Sequence, residues 1–460
     1  MEVSIGLIFG ALLVFVLITA VGIYAGRKIR SATDFSVGKG MGTTVVAGSL
    51  VGTLVGGAST VGTAQLAFTN GLSAWWYTLG GGIGLFAMAL FFASPLRNNG
   101  SMTMPGILTK EYGKRVATVA AVLMSVGTFI SIMSQMISGV ALITSVVPVC
   151  AVAAAAVTAV LMIFYVLFGG VWGAGLVGRV KTLLLYGLTI LCAAVVLHLG
   201  GFETLLQLPK EQYFDLFSRG IVVDGGAGLS LLFGVMTTQA YFLPVISAKD
   251  LRTSRTGAIL GGVLTVAIGM AGVLVGLFMR VHMPQTPSAM VLPVFVLTYL
   301  PDLAAGLILA TVLVTLVGTG AGLSLGISTM LTMDIYVPLL HPGASGKEQL
   351  RFSRSVLLLI LLLAAVLATG EAGSVILQWS FLSMGLRGAV AFVPVCFALF
   401  RPGSLPGKAA VAAMILAPVT CLFSFYFVKG IDPLFPGMAV SVLICIIGTA
   451  IKRSPFRSNR

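Results

Sequence analysis

Long apolar runs, each of about 18 residues or more, recur along the whole chain. A helix made from such a run crosses a hydrocarbon core of ~30 Å. In lipid, only helices and closed barrels satisfy their backbone hydrogen bonds, and these runs lack the alternation of barrel strands. Composition agrees, since 58% of the 460 residues are hydrophobic, 9% are charged and the mean hydropathy is +1.08. The sequence therefore predicts an all-α polytopic membrane protein.

About thirteen membrane-spanning helices are expected from these runs. The first run, Ser4 to Gly26, is too long for the core of a signal peptide and no basic region precedes it, so we expect an uncleaved first span. The stretches between the runs are too short to bury a core of their own, which predicts one membrane domain. The expected spans lie near residues 4–26, 42–68, 72–94, 116–142, 146–168, 175–198, 225–247, 257–279, 303–329, 353–370, 374–398, 409–428 and 434–451.

The net charge of +14 is distributed unevenly over the loops. With the N-terminus outside, the cytoplasmic segments hold 22 of the 27 Lys and Arg residues. The exceptions are Lys210, Arg219, Arg280 and Lys429 outside, and Arg387 within a span. Cytoplasmic loops of membrane proteins carry this excess of Lys and Arg. The basicity therefore predicts orientation in a plasma membrane (a bacterial inner membrane), with the C-terminus in the cytoplasm, and it does not call for a nucleic-acid partner.

Two of the expected spans have interrupted helix patterns. The second carries five glycines and several hydroxyl residues between Gly48 and Thr63, and each glycine costs roughly 1 kcal/mol in a helix interior. In transporters with inverted repeats, the binding site lies where two broken helices face each other. The seventh span is interrupted by Gly234, Thr237, Thr238, Gln239 and Pro244. For both spans, the alternative is that small residues only allow close helix packing.

Short motifs on and between these spans follow one another in a recognisable order. They are Ala25 to Lys28, Ser31 to Gly38, Gly48 to Gly71, Thr103 to Gly113, Gly169-Gly170, Ser247 to Asp250 and Ser328 to Tyr336. With them the sequence resembles the sodium/solute symporter family, which includes sodium-coupled sugar, proline, pantothenate and sialic acid carriers. The resemblance covers most of the chain.

The resemblance implies a fold with a five-plus-five inverted repeat, a LeuT-like core and a broken first helix in each repeat. Residues 1–460 would then form a single membrane transport domain. The extra N-terminal helix and loop would occupy 1–41, the first repeat 42–198 and the second repeat 225–398. Residues 399–460 would form two extra C-terminal helices.

The resemblance also implies a Na⁺ site between the second and ninth spans. Its ligands would be the carbonyl oxygens of Gly52 and Val55, with Thr315 (carbonyl), Gly318 and Thr319 on the ninth span. No acidic residue lies in the middle of an expected span, so a cation there would need carbonyl and hydroxyl oxygens. The family usually has two adjacent hydroxyls on the ninth span, whereas this chain has Gly318-Thr319. One ligand of the family's set is therefore missing, and the alternatives are that a hydroxyl of Thr53 or Thr315, or a water molecule, replaces it.

Lys181 follows the place in the sixth span where the family tends to carry an acid. One interpretation is an anchor at a helix end, whose ammonium extends to the cytoplasm. The other is that the ammonium reaches the cation site and substitutes for Na⁺. The second interpretation would make the carrier proton-coupled or uncoupled.

Arg387 is expected near the middle of the eleventh span, within Trp379 to Pro394. A charge at that depth costs at least ~2.5–3.5 kcal/mol, so it should face a cavity or a partner. Because no acid is expected at that depth, the partners left are carbonyls, hydroxyls or an anionic solute. A guanidinium binds a carboxylate with two parallel hydrogen bonds, which favours a substrate carboxylate. The alternatives are a structural arginine tied to a broken helix, or one displaced toward the cytoplasm.

Further candidates for solute contacts are polar side chains at membrane depth. Each is as well explained by an interhelical hydrogen bond, worth about 0.6 kcal/mol. In the seventh span the family often has a Gln-Arg pair where this chain has Leu243-Pro244, so the family's contacts there do not carry over directly. These candidates are Ser59, Thr60, Gln135, Gln239 and Tyr241.

These features predict a secondary active transporter that couples a cation, Na⁺ by resemblance, to symport of a small polar organic solute such as a carboxylate or amino acid. The alternatives are a proton-coupled or uncoupled carrier with a degenerate sodium site, and a membrane sensor without transport. A membrane-embedded enzyme is disfavoured, because the sequence has no HExxH and no Cys/His cluster. The expected partners are the solute and the lipid bilayer, while protein partners stay unassigned.

Overall fold

The computed structural model describes residues 4–26, 40–370 and 374–453. This part of the chain is helical throughout, and its one β pairing is an isolated parallel bridge between Met41 and Ala248. The α-helices, numbered in chain order, are α1 (Ile5–Gly26), α2 (Thr43–Leu54), α3 (Thr63–Asn70), α4 (Trp76–Ala87), α5 (Ala93–Asn99), α6 (Met104–Tyr112), α7 (Lys114–Val146), α8 (Ala151–His198), α9 (Gly201–Leu205), α10 (Lys210–Tyr213), α11 (Ile221–Thr237), α12 (Gln239–Ser247), α13 (Leu251–His282), α14 (Val291–Tyr299), α15 (Asp302–Leu331), α16 (Gly346–Gly370), α17 (Ile376–Phe400), α18 (Gly407–Phe427) and α19 (Leu434–Arg453).

Ten helices in the described ranges are long and apolar enough to cross a membrane, or eleven if the bent pair α11–α12 counts as one span. Three further apolar helical segments are shorter. They are α2 (Thr43–Leu54), the first part of α8 (Ala151–Val166), and α14 together with the turn before it (Ser288–Tyr299). The predicted all-α polytopic fold is thereby confirmed, while the count of thirteen spans and the repeat boundaries stay predictions. The predicted motif Ser31 to Gly38 and the basic residues of 27–39 and 454–460 lie outside the described residues. The orientation of the termini therefore also stays a prediction.

The second expected span is interrupted in the middle. Helix α2 ends at Leu54, and Val55 has extended backbone angles, φ −85° and ψ 104°. A π-helical turn, Ala58–Gly62, precedes α3. Because Gly56 and Gly57 between these elements carry no side chain, neighbouring helices can approach the unwound backbone. We call the segment 55–57 the first break.

The seventh expected span is interrupted in the same way. Helix α11 ends at Thr237, and Thr238 is extended, with φ −81° and ψ 127°. Helix α12 then begins at Gln239, and the two helices are bent by 50°. We call Thr238 and its flanking peptide groups the second break.

Two long helices, α7 and α15, pass both breaks. On α15, Thr319 is a nearest neighbour of Gly56 at the first break, and Gly326 is closest to Ala240 beside the second. Seven residues of helix rise about 10 Å. Helix α17 packs against both α7 and α11, and so joins the second break to α7. The breaks therefore lie about 10 Å apart along α15, within one helix bundle.

Helix α8 carries the fifth and sixth expected spans and is not straight. Tyr165 and Lys181 both lie against Gly318, because a Cβ placed there would be 3.1 Å from Tyr165 Oη and 3.2 Å from Lys181 Nζ. A straight helix would separate residues 165 and 181 by about 24 Å along its axis. The axis of α8 is therefore bent between these two residues, and both of its parts contact α15.

Candidate functional site

Three of the predicted residues satisfy the backbone that the first break sets free. The N–H of Gly57 donates to Gln135 Oε1 over 2.7 Å, and the N–H of Gly56 donates to Ser59 Oγ over 2.8 Å. Thr60 Oγ1 donates to the carbonyl oxygen of Gly56 over 2.8 Å. An unpaired peptide group would be costly in this buried place. Gln135, Ser59 and Thr60 therefore hold the unwound backbone open at membrane depth.

The five residues predicted for the cation site come together beside this break. Thr319 Oγ1 lies 3.0 Å from the carbonyl oxygen of Val55 and 3.3 Å from that of Gly52. The carbonyl oxygen of Thr315 points at the same place, and Gly318 lines it without contributing a hydroxyl. Carbonyl and hydroxyl oxygens from an unwound helix are the ligand type that binds Na⁺ in such carriers.

A positive side chain occupies the centre of this oxygen cluster. Lys181 Nζ donates to the carbonyl oxygen of Thr315 over 3.0 Å and also to that of Gly52. Its residue is 1% exposed. The residues present therefore do not fit a Na⁺ ion in this conformation, because an ammonium already uses two of the oxygens and position 318 has no hydroxyl. Of the two interpretations of Lys181, the contacts favour the one in which it reaches the cation site.

A close helix contact brings Lys181 to this position. A Cβ on Gly178 would run into the carbonyl oxygen of Gly48, so α8 and α2 pack backbone against backbone there. One turn further along each helix are Lys181 and Gly52. The small residues thus let the lysine side chain reach across to α2 instead of extending to the membrane surface.

Arg387 lies at the second break and is fully buried. Its Nη1 donates to Thr238 Oγ1 over 2.8 Å, and its Nε donates to the carbonyl oxygen of Ser383 over 3.1 Å. Nη2 reaches Ser383 Oγ and Met384 Sδ, both at 3.1 Å. All these partners are uncharged protein groups, so none of them is a counter-ion of the guanidinium. Thr238 is itself the extended residue of the break, so the guanidinium is fixed to the site of unwinding.

A line of hydroxyl groups joins Arg387 to the first break. Ser383 Oγ, which binds Arg387, also donates to the carbonyl oxygen of Gly127 on α7. One turn along α17, Ser380 Oγ donates to Ser134 Oγ over 2.7 Å, and Ser134 Oγ accepts from Gln135 Nε2 over 3.3 Å. We call Arg387, Ser383, Ser380, Ser134 and Gln135 the polar track. Gly127 and Gln135 are eight residues apart on α7, so the track spans about 12 Å.

The three serines of the polar track were not among the predicted site residues. Serines in apolar helices usually bond to a carbonyl of their own helix, as Ser138 does with that of Ser134. The one available signal was the spacing of Ser380 and Ser383 before Arg387, which places the three on adjacent turns of one helix.

Gln239 and Tyr241 flank the second break, and the structure gives them different surroundings. Gln239 Oε1 accepts from the N–H of Met104 over 2.8 Å, and its Nε2 donates to the carbonyl oxygen of Met102 over 3.1 Å. Gln239 thus ties the break to the start of α6. Tyr241 is 1% exposed, and its N–H donates to the carbonyl oxygen of Thr238. Gln239 and Tyr241 are both buried.

Known proteins with similar sequences are membrane transporters. The family model of the sodium:solute symporter family matches residues 35–416. The chain is 24% identical over 400 residues to the high-affinity choline transporter 1 of Drosophila melanogaster, which covers 80% of this chain and 62% of that protein. It is 23% identical over 483 residues to the osmoregulated proline transporter OpuE of Bacillus subtilis (strain 168), covering 99% of this chain and 97% of that protein.

The fold is also similar to that of a solved transporter. A Na⁺-coupled sialic acid symporter in its substrate-bound outward-open state superimposes with a TM-score of 0.82 at 18% identity, covering 98% of both chains. The family and these relatives are transporters and not enzymes. With many apolar helices, two breaks at membrane depth and this family match over most of its length, the chain is a multi-pass membrane transporter that belongs to the sodium:solute symporter family.

Proposed function

We propose that the chain is a secondary active carrier of a small polar organic solute that bears a carboxylate, such as a monocarboxylate or an amino acid. The observation that carries the proposal is the contact of Arg387 with Thr238, because it places a buried guanidinium at an unwound helix. Guanidinium binds carboxylate with two parallel hydrogen bonds. A solute carboxylate would replace the hydroxyls of Thr238 and Ser383 on Arg387.

The rest of the polar track supplies uncharged groups for the remainder of such a solute. Ser380, Ser134 and Gln135 lie between the guanidinium and the first break. Relatives named as proline and choline transporters are in keeping with a small solute that carries a charge. We therefore place the solute between the two breaks, with its carboxylate toward Arg387.

Alternating access is supported by contacts between the halves of the broken helices that lie on one side of the breaks. The N–H of Met41, before α2, donates to the carbonyl oxygen of Ser247 over 3.0 Å, and the N–H of Lys249 donates back to Met41 over 3.1 Å. Arg97 Nη1 donates to the carbonyl oxygen of Ala248 over 2.8 Å. The Met41 bonds tie the start of α2 to the end of α12, and the Arg97 bond ties α5 to the same place, so these segments can move as one body against the rest of the bundle.

Solute transport by this carrier has two candidate modes of energy coupling. Na⁺ is the coupling ion expected from the family and from the Na⁺-coupled structural neighbour. The second candidate is a carrier that runs on a proton gradient or exchanges solute without an ion, and the position of Lys181 favours it. The predicted repeat boundaries, the bacterial inner membrane and the outside N-terminus are part of the same proposal.

Uptake of radiolabelled amino acids and monocarboxylates into proteoliposomes tests the function. Wild-type protein and Arg387→Ala would be compared under a Na⁺ gradient, under a pH gradient and without a gradient. We expect wild-type uptake of one carboxylate-bearing solute and its loss in Arg387→Ala. Absence of transport for every solute under every gradient would contradict the proposed carrier function. Uptake limited to solutes without a carboxylate would contradict the assignment of Arg387.

A further inference from the structure

The oxygen cluster at the first break contains a cation that belongs to the protein itself. Lys181 Nζ lies on the carbonyl oxygens of Gly52 and Thr315, two of the oxygens that the family resemblance assigns to Na⁺. Among the described residues no carboxylate forms an ion pair with Lys181, and both partners of its ammonium are carbonyl oxygens. A buried ammonium without a counter-ion is stabilised by carbonyl dipoles, and here two carbonyl oxygens accept from it.

Gly318 is the residue that makes room for this ammonium. A Cβ there would be 3.2 Å from Lys181 Nζ and 3.1 Å from Tyr165 Oη, closer than an ordinary contact. The family usually has a hydroxyl residue at this position of the ninth span, and its Oγ would extend further into the same space. The missing hydroxyl and the additional lysine are therefore linked, because the space beside position 318 holds either a hydroxyl group or the ammonium.

We infer that the ammonium of Lys181 replaces Na⁺ as the resident cation of this carrier, and that Gly318 is the matching change which admits it. The inference rests on the proposed carrier function and specifies its cation site. Transport would then need no Na⁺, because the bond between α2 and α15 that a metal ion provides elsewhere is supplied by a side chain. Thr319 keeps its contact with Val55 and Gly52 and completes the link between the two helices.

Sodium binding by the purified full-length protein tests the inference without any solute. Thermal unfolding in detergent would be followed while NaCl replaces N-methyl-glucamine chloride at constant ionic strength, and binding of radioactive sodium would be measured beside it. We expect no saturable sodium binding and no sodium-dependent change in Tm for the wild type. Saturable binding accompanied by a rise in Tm would overturn the inference. Neither measurement depends on a variant that has to fold.

A pair of substitutions tests the match between the two residues. Gly318→Ser alone should lower Tm, because the new side chain meets the ammonium. In the Lys181→Ala background the same substitution should raise Tm in NaCl, since the cavity and a fifth oxygen become available together. Lys347→Met, which removes an exposed lysine in the first turn of α16, is the control and should change neither Tm nor its response to sodium. Additive effects of the two substitutions, with no response to sodium, would contradict the inference.

The same protein in proteoliposomes separates failure of this inference from failure of the carrier function. If the wild type takes up solute only under an inward Na⁺ gradient, the lysine is not the resident cation, while the carrier function stands. If no solute is transported under any condition, the function itself is wrong.

Discussion

Arg387 Nη1 donates a hydrogen bond to Thr238 Oγ1 over 2.8 Å, and this contact joins the middle of α17 to the extended residue of the second break. Thr238 Oγ1 in turn donates to the carbonyl oxygen of Gly234 in the last turn of α11. The threonine therefore connects the guanidinium to the end of the interrupted helix. The buried guanidinium thereby gains a polar partner at the second break, and the side chain of Thr238 is fixed in place.

Replacing Thr238 by valine should disable the carrier, because valine keeps the shape and removes the acceptor of Arg387. Hydrogen bonds to charged groups contribute about 1.5–3 kcal/mol, so we expect a lower free energy of unfolding and at least a tenfold fall in transport rate. Thr265→Val is the matched control, since that buried hydroxyl bonds only to the carbonyl of Gly261 in its own helix. Initial uptake rates and Tm would be measured for both variants and for the wild type. Equal effects of the two substitutions would contradict a special role for Thr238.

Arg387→Lys keeps the positive charge but cannot bind Thr238 and Ser383 together through one planar group. If the guanidinium binds a solute carboxylate, the apparent KM for the solute should rise at least tenfold, while surface expression stays near that of the wild type. Uptake at a series of solute concentrations checks this. A normal KM with a reduced maximal rate would indicate that Arg387 only stabilises the broken helix.

Gly57→Ala should distort the first break. A Cβ at this position would overlap Ser138, and Leu316 lies 3.3 Å away on the other side. Overpacking of this kind costs typically about 1–3 kcal/mol, and here it would also displace the bond from Gly57 to Gln135. In Gly187→Ala, by contrast, the new methyl group meets nothing within 4 Å on α8, and helix propensity makes it neutral or stabilising. Thermal unfolding of both variants compares them directly, and a stable Gly57→Ala protein would argue against a rigid first break.

Asp432, in the loop between α18 and α19, should make stability depend on pH. Burial raises its pKa from 3.8 to about 6, although bonds from the Leu434 N–H and Ser230 Oγ and the nearby Arg219 act in the opposite direction. The folded state thus favours the neutral acid, so its contribution to stability is fully present below about pH 4. It is lost as pH rises to about 6, and the difference is on the order of 3 kcal/mol.

The measurement for Asp432 is Tm between pH 4 and 7 for the wild type and for Asp432→Asn. The asparagine variant should show a smaller fall in Tm over this range, because the group that loses its proton is absent. An unchanged pH profile would mean that Asp432 stays ionised in the folded protein.

The two breaks could be predicted because their cause is local. Glycine weakens a helix wherever it stands, and a cluster of glycines and hydroxyl residues is visible in the sequence around Gly56 and Gly57. The family resemblance predicted that Gly52, Val55 and Thr319 lie close together. The pattern of apolar residues alone gives no information about which helices pack against each other. The structure brings these residues together.

The contacts between helices could not be predicted from the pattern. Lys181 could be an anchor or a cation substitute, and the crossing of α2 and α8 at Gly48 and Gly178 favours the second. Arg387 was recognised by its charge, but its partners Thr238 and Ser383 depend on the rotation of two helices about their axes. Such rotations are set by packing over the whole bundle.

Solute counterflow in sodium-free proteoliposomes tests the central claim most directly, namely a carrier whose cation at the first break is Lys181. Vesicles loaded with unlabelled solute would be diluted into labelled solute, with N-methyl-glucamine as the one added cation, and then with Na⁺. We expect transient accumulation of label at the same rate in both media, and its loss in Arg387→Ala. Accumulation that appears only when Na⁺ is present would contradict the claim.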